Sequence, residues 1–133
     1  MTHDLAIILL AAGLVTMPCV VAQMAAERGV DAGRAVQTVT LESAWDADAV
    51  GDNGMAVGLW QFWPETWTWA CALVGYPQWR DIENRNDPIK STIVALEMIR
   101  RDWGHLWTGY RMTANQETGV IDGSLEENTA SLD

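Results

Sequence analysis

Among the 18 acidic side chains of this 133-residue chain, Glu42 is the one whose spacing suggests a chemical role. It ends an apolar helical run in which Ala35, Val39 and Glu42 fall at i, i+4 and i+7, the spacing of one helix face. A carboxylate on that face is desolvated, which raises its pKa and keeps a proton available near neutral pH. The alternative is a Glu at a helix end that turns out to solvent. A protonated acid suits glycosidic cleavage, which needs a proton for the leaving oxygen and an environment that stabilises a positively charged sugar. No second carboxylate has equal standing by spacing. That favours a one-acid mechanism in which an N-acetyl sugar supplies its own nucleophile.

The chain beyond Glu42 must build the rest of such a site. Asp46 to Phe62 is punctuated by Gly51, Gly54 and Gly58 and carries an Asp-Asn-Gly turn at Asp52, which predicts a Gly-rich loop or small hairpin. Eight tryptophans crowd the chain, nearly all between Trp45 and Trp103. Their flat rings suit sugar faces, but rings of this size also dominate ordinary cores. Asp46, Asp48 and Asp52 do not make a calcium loop, because Val50 stands where that pattern wants an acid or Asn. His3 and His105 have no ligand-spaced partners. The expected site therefore needs no metal and no cofactor.

Helices must position these residues. Val20, Val21, Met24 and Ala25 follow helical spacing up to a stop at Gly29, and Asp31 is an N-cap for a helix to about Ser43. Pro64 fits the first turn of a third helix that Gly75 closes, with Trp67, Ala70, Cys71 and Val74 inward. After a connector from Tyr76 to Asn86, Asp87 and Pro88 open a fourth helix. Ile89, Thr92, Ile93, Leu96, Ile99 and Trp103 mark its expected buried side, and Arg100 and Arg101 suit the dipole at its end. Gly104 ends that helix, and His105 to Arg111 is expected as a short helical turn folded back towards the loop.

The two ends differ from this middle. Leu5 to Ala22 carries no charge, but it is slightly short of the ~20 residues of a spanning helix and Pro18 interrupts it. Residues 1–19 are therefore assigned to an N-terminal apolar helix, either a membrane anchor, a signal-like segment or a packing helix. Residues 20–111 form the catalytic domain. Residues 112–133 form an acidic tail that suits an arm for a virion or envelope partner. The net charge of -10 argues against nucleic acid, which needs a basic face. Cys19 and Cys71 either pair or stay buried thiols.

Glu-Ser-Ala-Trp at Glu42, followed by Gly-Leu-Trp-Gln-Phe-Trp-Pro-Glu-Thr-Trp at Gly58, resembles the catalytic core of soluble lytic transglycosylases of the lysozyme-like superfamily. Their pattern is Glu-Ser, a short loop, Gly-Leu-x-Gln and a Pro-x-Thr helix start. Gly51 to Gly54 resembles the loop of goose-type lysozymes, and Asp87-Pro88 with Trp103 to Thr108 resembles the closing helix and aromatic patch of phage-type members. The resemblance implies a mainly α, lysozyme-like fold of about five helices. It also implies cleavage of peptidoglycan strands between N-acetylmuramic acid and N-acetylglucosamine, in the cell envelope or from a virion.

Residue by residue, Glu42 matches the catalytic acid, which later acts as base. Ser43 matches the serine that helps hold the local structure, and is grouped with the substrate-contacting set. Gln61 matches the substrate-contacting glutamine, with Trp60 in place of the more usual Met. Asp52 matches the goose-type aspartate that places water, which would permit hydrolysis. The family's Asn-Ala-Gly segment with its nearby Tyr is absent, so Trp107 or Tyr110 is the candidate for that side of the cleft. Ala47 stands where Pro commonly follows the first motif. A module that has lost catalysis and only grips glycan, as part of a virion, is the alternative from another class.

Overall fold

A computed structural model describes residues 3–113. The tail from residue 114 onward, expected as a partner arm, lies outside the described residues. Among those described, five α-helices surround one two-stranded sheet: α1 (His3–Ala11), α2 (Met17–Glu27), α3 (Ala32–Ser43), α4 (Pro64–Val74) and α5 (Pro88–Arg100). The strands β1 (Val50–Gly51) and β2 (Ala56–Val57) pair antiparallel in register Val50 with Val57 and Gly51 with Ala56. A last helical segment covers residues 108–113.

Local signals set most of these boundaries. The Asp31 carboxylate accepts the Arg34 N–H at 2.9 Å, satisfying one orphan donor of α3. Asp87 does the same for Ile89 and Lys90 at α5, with Pro88 in its first turn. Gly75 closes α4 in the left-handed region at φ 95°.

The apolar run from Leu5 to Ala22 is not one helix. The chain breaks between α1 and α2, turning through Gly13 at φ 77°, and Pro18 sits in the first turn of α2 rather than interrupting a longer helix. Residue 19 therefore lies inside a helix that is part of the core, through Val20, Val21, Met24 and Ala25. α1 packs on α2 and buries Ala6 completely. Among the described residues no helix is long and apolar enough to cross a membrane.

α5 is the axis of the fold. α2, α4, the turn Ile82–Asn86 and the turn Gly104–Leu106 all pack on it. Its buried residues are accordingly Ser91, Thr92, Val94, Ala95, Leu96, Met98 and Ile99, a wider set than the stripe expected from spacing, and Ile89 and Ile93 are only half-buried. Spacing assumed one covered face, whereas neighbours cover this helix on several sides. Glu97 of α5 receives Arg28, the residue that caps the end of α2, at 3.0 Å, together with Arg100 of its own last turn and Arg101 just after it. Burial pushes the Glu97 carboxyl up, but the hydrogen bonds from Arg100 and Arg101 outweigh it and hold the pKa below the ordinary value.

Four aromatic rings form the inner wall beneath the hairpin. Trp60 meets Trp107 edge-on at 5.6 Å, Trp107 meets Phe62 at 5.4 Å, and Phe62 meets Trp67 at 5.0 Å. Each such pair adds ~0.5–1.5 kcal/mol beyond its buried area. Cys19 and Cys71 are free thiols, the second buried.

Candidate active site

The end of α3, the hairpin, the start of α4 and residues 106–108 enclose a cleft lined by Glu42, Asp52, Gln61, Phe62, Trp63, Thr66, Leu106, Trp107 and Thr108. Glu42 projects from the last turn of α3 and is half-buried. Its Oε2 accepts the Gly109 N–H at 3.3 Å. Burial pushes the Glu42 carboxyl above its ordinary pKa. The Gly109 N–H opposes this, the negative charge of Asp52 adds to it, and the positive charge of Arg111 opposes it. The net result is an acid that retains its proton to higher pH than an exposed Glu.

Asp52 lies in the turn between the strands, where Asp52 and Asn53 adopt φ of 52° and 59°. Its Oδ2 accepts the Trp63 Nε1–H at 3.1 Å. That bond holds an exposed indole, 45% accessible, at the cleft. Gln61 also sits at positive φ, 53°, and its Nε2 donates to the carbonyls of Ala49 and Gly58 at 3.1 and 2.9 Å. Both amide protons are thus committed to the loop, leaving Oε1 as the group of Gln61 that can accept from a ligand. A Cβ at Gly51 would fall 2.5 Å from that Oε1, so a side chain at this strand position would push the Gln61 carboxamide aside.

The structure also separates residues the sequence grouped together. Trp60 is fully buried, donates Nε1–H to Thr92 Oγ1 at 3.0 Å and does not line the cleft. It is a core residue because the next turn of chain points its ring at α5. Ser43 returns its hydroxyl to the Val39 carbonyl at 3.3 Å, a bond inside its own helix, and also stays off the cleft wall. Trp107 does line the cleft, as its floor, only 5% accessible and tied through Nε1 to the Trp60 carbonyl at 2.8 Å. Tyr110 lies away from the lining, with the Arg34 guanidinium 3.5 Å above its ring.

Several residues at or behind the site carried no assignment from sequence. Thr66 could have been found as the Thr of the Pro-x-Thr helix start. Thr108 closes the Trp103 to Thr108 segment that resembles the aromatic patch, but Gly109 and Arg111 could not be found, since nothing local connects residue 109 to residue 42. Arg85 is the least expected: 94% buried, it donates Nε–H to the Ile82 carbonyl and Nη1–H to the carbonyls of Met55 and Phe62 at 2.9 Å. It fastens the hairpin and the Gln61 loop to the connector before α5. Gly58 completes that junction, because a Cβ there would fall 2.2 Å from the Arg85 carbonyl oxygen.

Comparison with known families matches residues 20–114 to one, described as Transglycosylase SLT domain. No curated protein and no solved structure matches the chain. The match covers most of the described residues, from α2 through the whole cleft to the last helical segment, and the mainly helical fold with its small sheet is the lysozyme-like one. By that match the chain belongs to the transglycosylase SLT domain family of peptidoglycan-degrading lytic transglycosylases.

Proposed function

We propose that this protein cleaves peptidoglycan between N-acetylmuramic acid and N-acetylglucosamine with Glu42 as its single acid and base. The observation that carries the reading is one half-buried carboxyl in the cleft, held by a single backbone donor and raised in pKa by burial. Glu42 gives its proton to the glycosidic oxygen as the C1–O bond breaks, and positive charge develops on the muramic ring. The acetamido oxygen of the same sugar closes on C1. The C6 hydroxyl then attacks C1, returns its proton to the Glu42 carboxylate and displaces the acetamido oxygen, leaving a 1,6-anhydro end. Phe62 and Trp107 exclude water from one side, which strengthens every charge interaction within. Trp63, fixed by Asp52, offers a flat face for a sugar ring. A substrate of this kind places the protein's action in the cell envelope.

Asp52 on the cleft wall supports a second reading, in which it orients a water that attacks C1 and gives a reducing end. Digestion of purified peptidoglycan with the wild type and Glu42→Gln, with mass spectrometry of the product ends, tests both. Anhydromuramic ends support transglycosylation and reducing ends support hydrolysis. Loss of the proton donor should cost at least ~10²-fold in rate. Equal product from wild type and Glu42→Gln would refute both readings.

A further inference from the structure

Arg34, Thr38 and Glu42 lie one helical turn apart along α3, and the segment 108–113 is laid on that same face. At one end, the Arg34 Nη2–H donates to the Tyr110 carbonyl at 2.8 Å and its Nε–H donates to Thr113 Oγ1 at 3.1 Å. Thr113, 95% buried, in turn donates its hydroxyl to the Tyr110 carbonyl at 2.7 Å. The guanidinium also covers the Tyr110 ring, and Gly104 is packed against the same ring, where a Cβ would fall 2.7 Å from it. At the other end Gly109 is pressed onto α3. A Cβ there would lie 3.3 Å from Leu41 Cβ, 3.4 Å from Glu42 Oε2 and 3.5 Å from the Thr38 Cα.

We propose that Arg34 is a positioning residue for Glu42: by clamping Tyr110 and Thr113 it holds the Gly109 N–H on the Glu42 carboxyl oxygen. Arg34 stands about 12 Å from Glu42 along the helix at 1.5 Å per residue, and it does not line the cleft. Its effect must therefore pass through the 108–113 segment. A guanidinium suits this clamp because its planar fork donates in two directions while its face stacks on the ring, which an ammonium cannot do at once. The charged groups that act on Glu42 are Asp52 from the hairpin and Arg111 from the same segment. When the clamp loosens, Glu42 loses the one N–H that favours its ionised form, and Arg111 moves with the segment that carries that N–H. Both changes favour the protonated acid, whereas the cover that the segment takes off the carboxyl favours the ionised one, burial being the largest cause of its raised pKa; the balance that sets the Glu42 pKa therefore depends on the clamp.

This inference rests on the proposed role of Glu42, but one arm of its test does not. The first arm follows the Glu42 side-chain carboxyl by carbon NMR through a pH titration of the full chain, in wild type, Arg34→Lys and Arg34→Ala. The second measures kcat, KM and the pH profile on peptidoglycan. In both variants the carboxyl should titrate at a pH displaced from that of wild type, and the alkaline limb of activity should move in the same direction. With the acid out of place, kcat should fall on the order of 10-fold to 10²-fold, while KM stays near wild type. Arg34→Lys, which keeps the charge and the alkyl packing, should lie between Arg34→Ala and wild type, and carries the test should Arg34→Ala not fold. Wild-type titration of Glu42 in a folded Arg34→Lys overturns the proposal. So does activity that falls only with the folded fraction while the alkaline limb stays in place. A shifted titration in a chain that does not cleave peptidoglycan would instead refute the proposed function and leave the clamp standing.

Discussion

Arg85→Met tests whether the cleft's hairpin is held by a buried cation. In the wild type its guanidinium makes hydrogen bonds to three carbonyls, of Ile82, Met55 and Phe62. Bonds to a charged donor contribute ~1.5–3 kcal/mol each. Desolvation offsets part of that, as the downward push of burial on the Arg85 pKa indicates. Methionine fills much of the same volume but removes all three charge-assisted bonds, leaving the Phe62 carbonyl only its Val57 N–H, so the net loss should be ~3 kcal/mol or more. Unfolding entropy for 133 residues is about 0.3 kcal/mol/K, so the melting temperature should fall by about 10 °C. Thermal unfolding monitored by circular dichroism reads this directly. Hydrogen exchange should localise it, because the Val57 N–H shares the Phe62 carbonyl with Arg85 and the Gly58 N–H bonds the Ala49 carbonyl. A folded variant melting within about 2 °C of wild type, with unchanged protection at Val57 and Gly58, would show that the carbonyls find other donors and that the clamp argument is wrong.

The same geometry sets further outcomes. Asp52→Asn keeps an acceptor for Trp63 but removes a negative charge that raises the Glu42 pKa; the acid then ionises earlier, and the alkaline limb of activity should move to lower pH. If the same variant instead abolishes reducing ends while sparing anhydro ends, Asp52 places water. Trp60→Phe should cost ~1–2 kcal/mol in chemical unfolding, from the lost bond to Thr92 and the small void left, yet leave KM unchanged; a large rise in KM would return Trp60 to the cleft. Glu42→Gln should raise the melting temperature near neutral pH. The folded pKa of Glu42 lies above the unfolded one, so its ionisation penalises the native state increasingly as pH climbs from the unfolded to the folded value, and the advantage of Gln should vanish in acid. Cys71, buried with its thiol pKa pushed up to about 11, should resist alkylation at pH 8 in the native state while half-buried Cys19 reacts; rapid labelling of both would contradict the burial of α4.

The amino-acid sequence by itself determined the parts of this protein that depend on near neighbours. Asp31 and Asp87 cap helices, Pro64 and Pro88 start them, Gly75 ends one, and the Asp-Asn-Gly turn folds a hairpin. Each is decided within about one helical turn of chain. The spacing of Glu42 along α3 belongs to the same class, and its partial burial follows from it. Spacing could not say how many neighbours a helix has, so the wide burial of α5 and the break before α2 were not legible. Nor could it tell a tryptophan that floors a cleft from one that fills a core. Trp60 and Trp107 touch each other, and only packing decides which of them meets the solvent side. The same holds for the donor on Glu42, which comes from 67 positions away, and for the clamp at Arg34, whose Thr113 partner is 79 positions away. No local pattern encodes such pairs. They exist because the 108–113 segment comes to rest on α3, and the tertiary fold alone fixes where it rests.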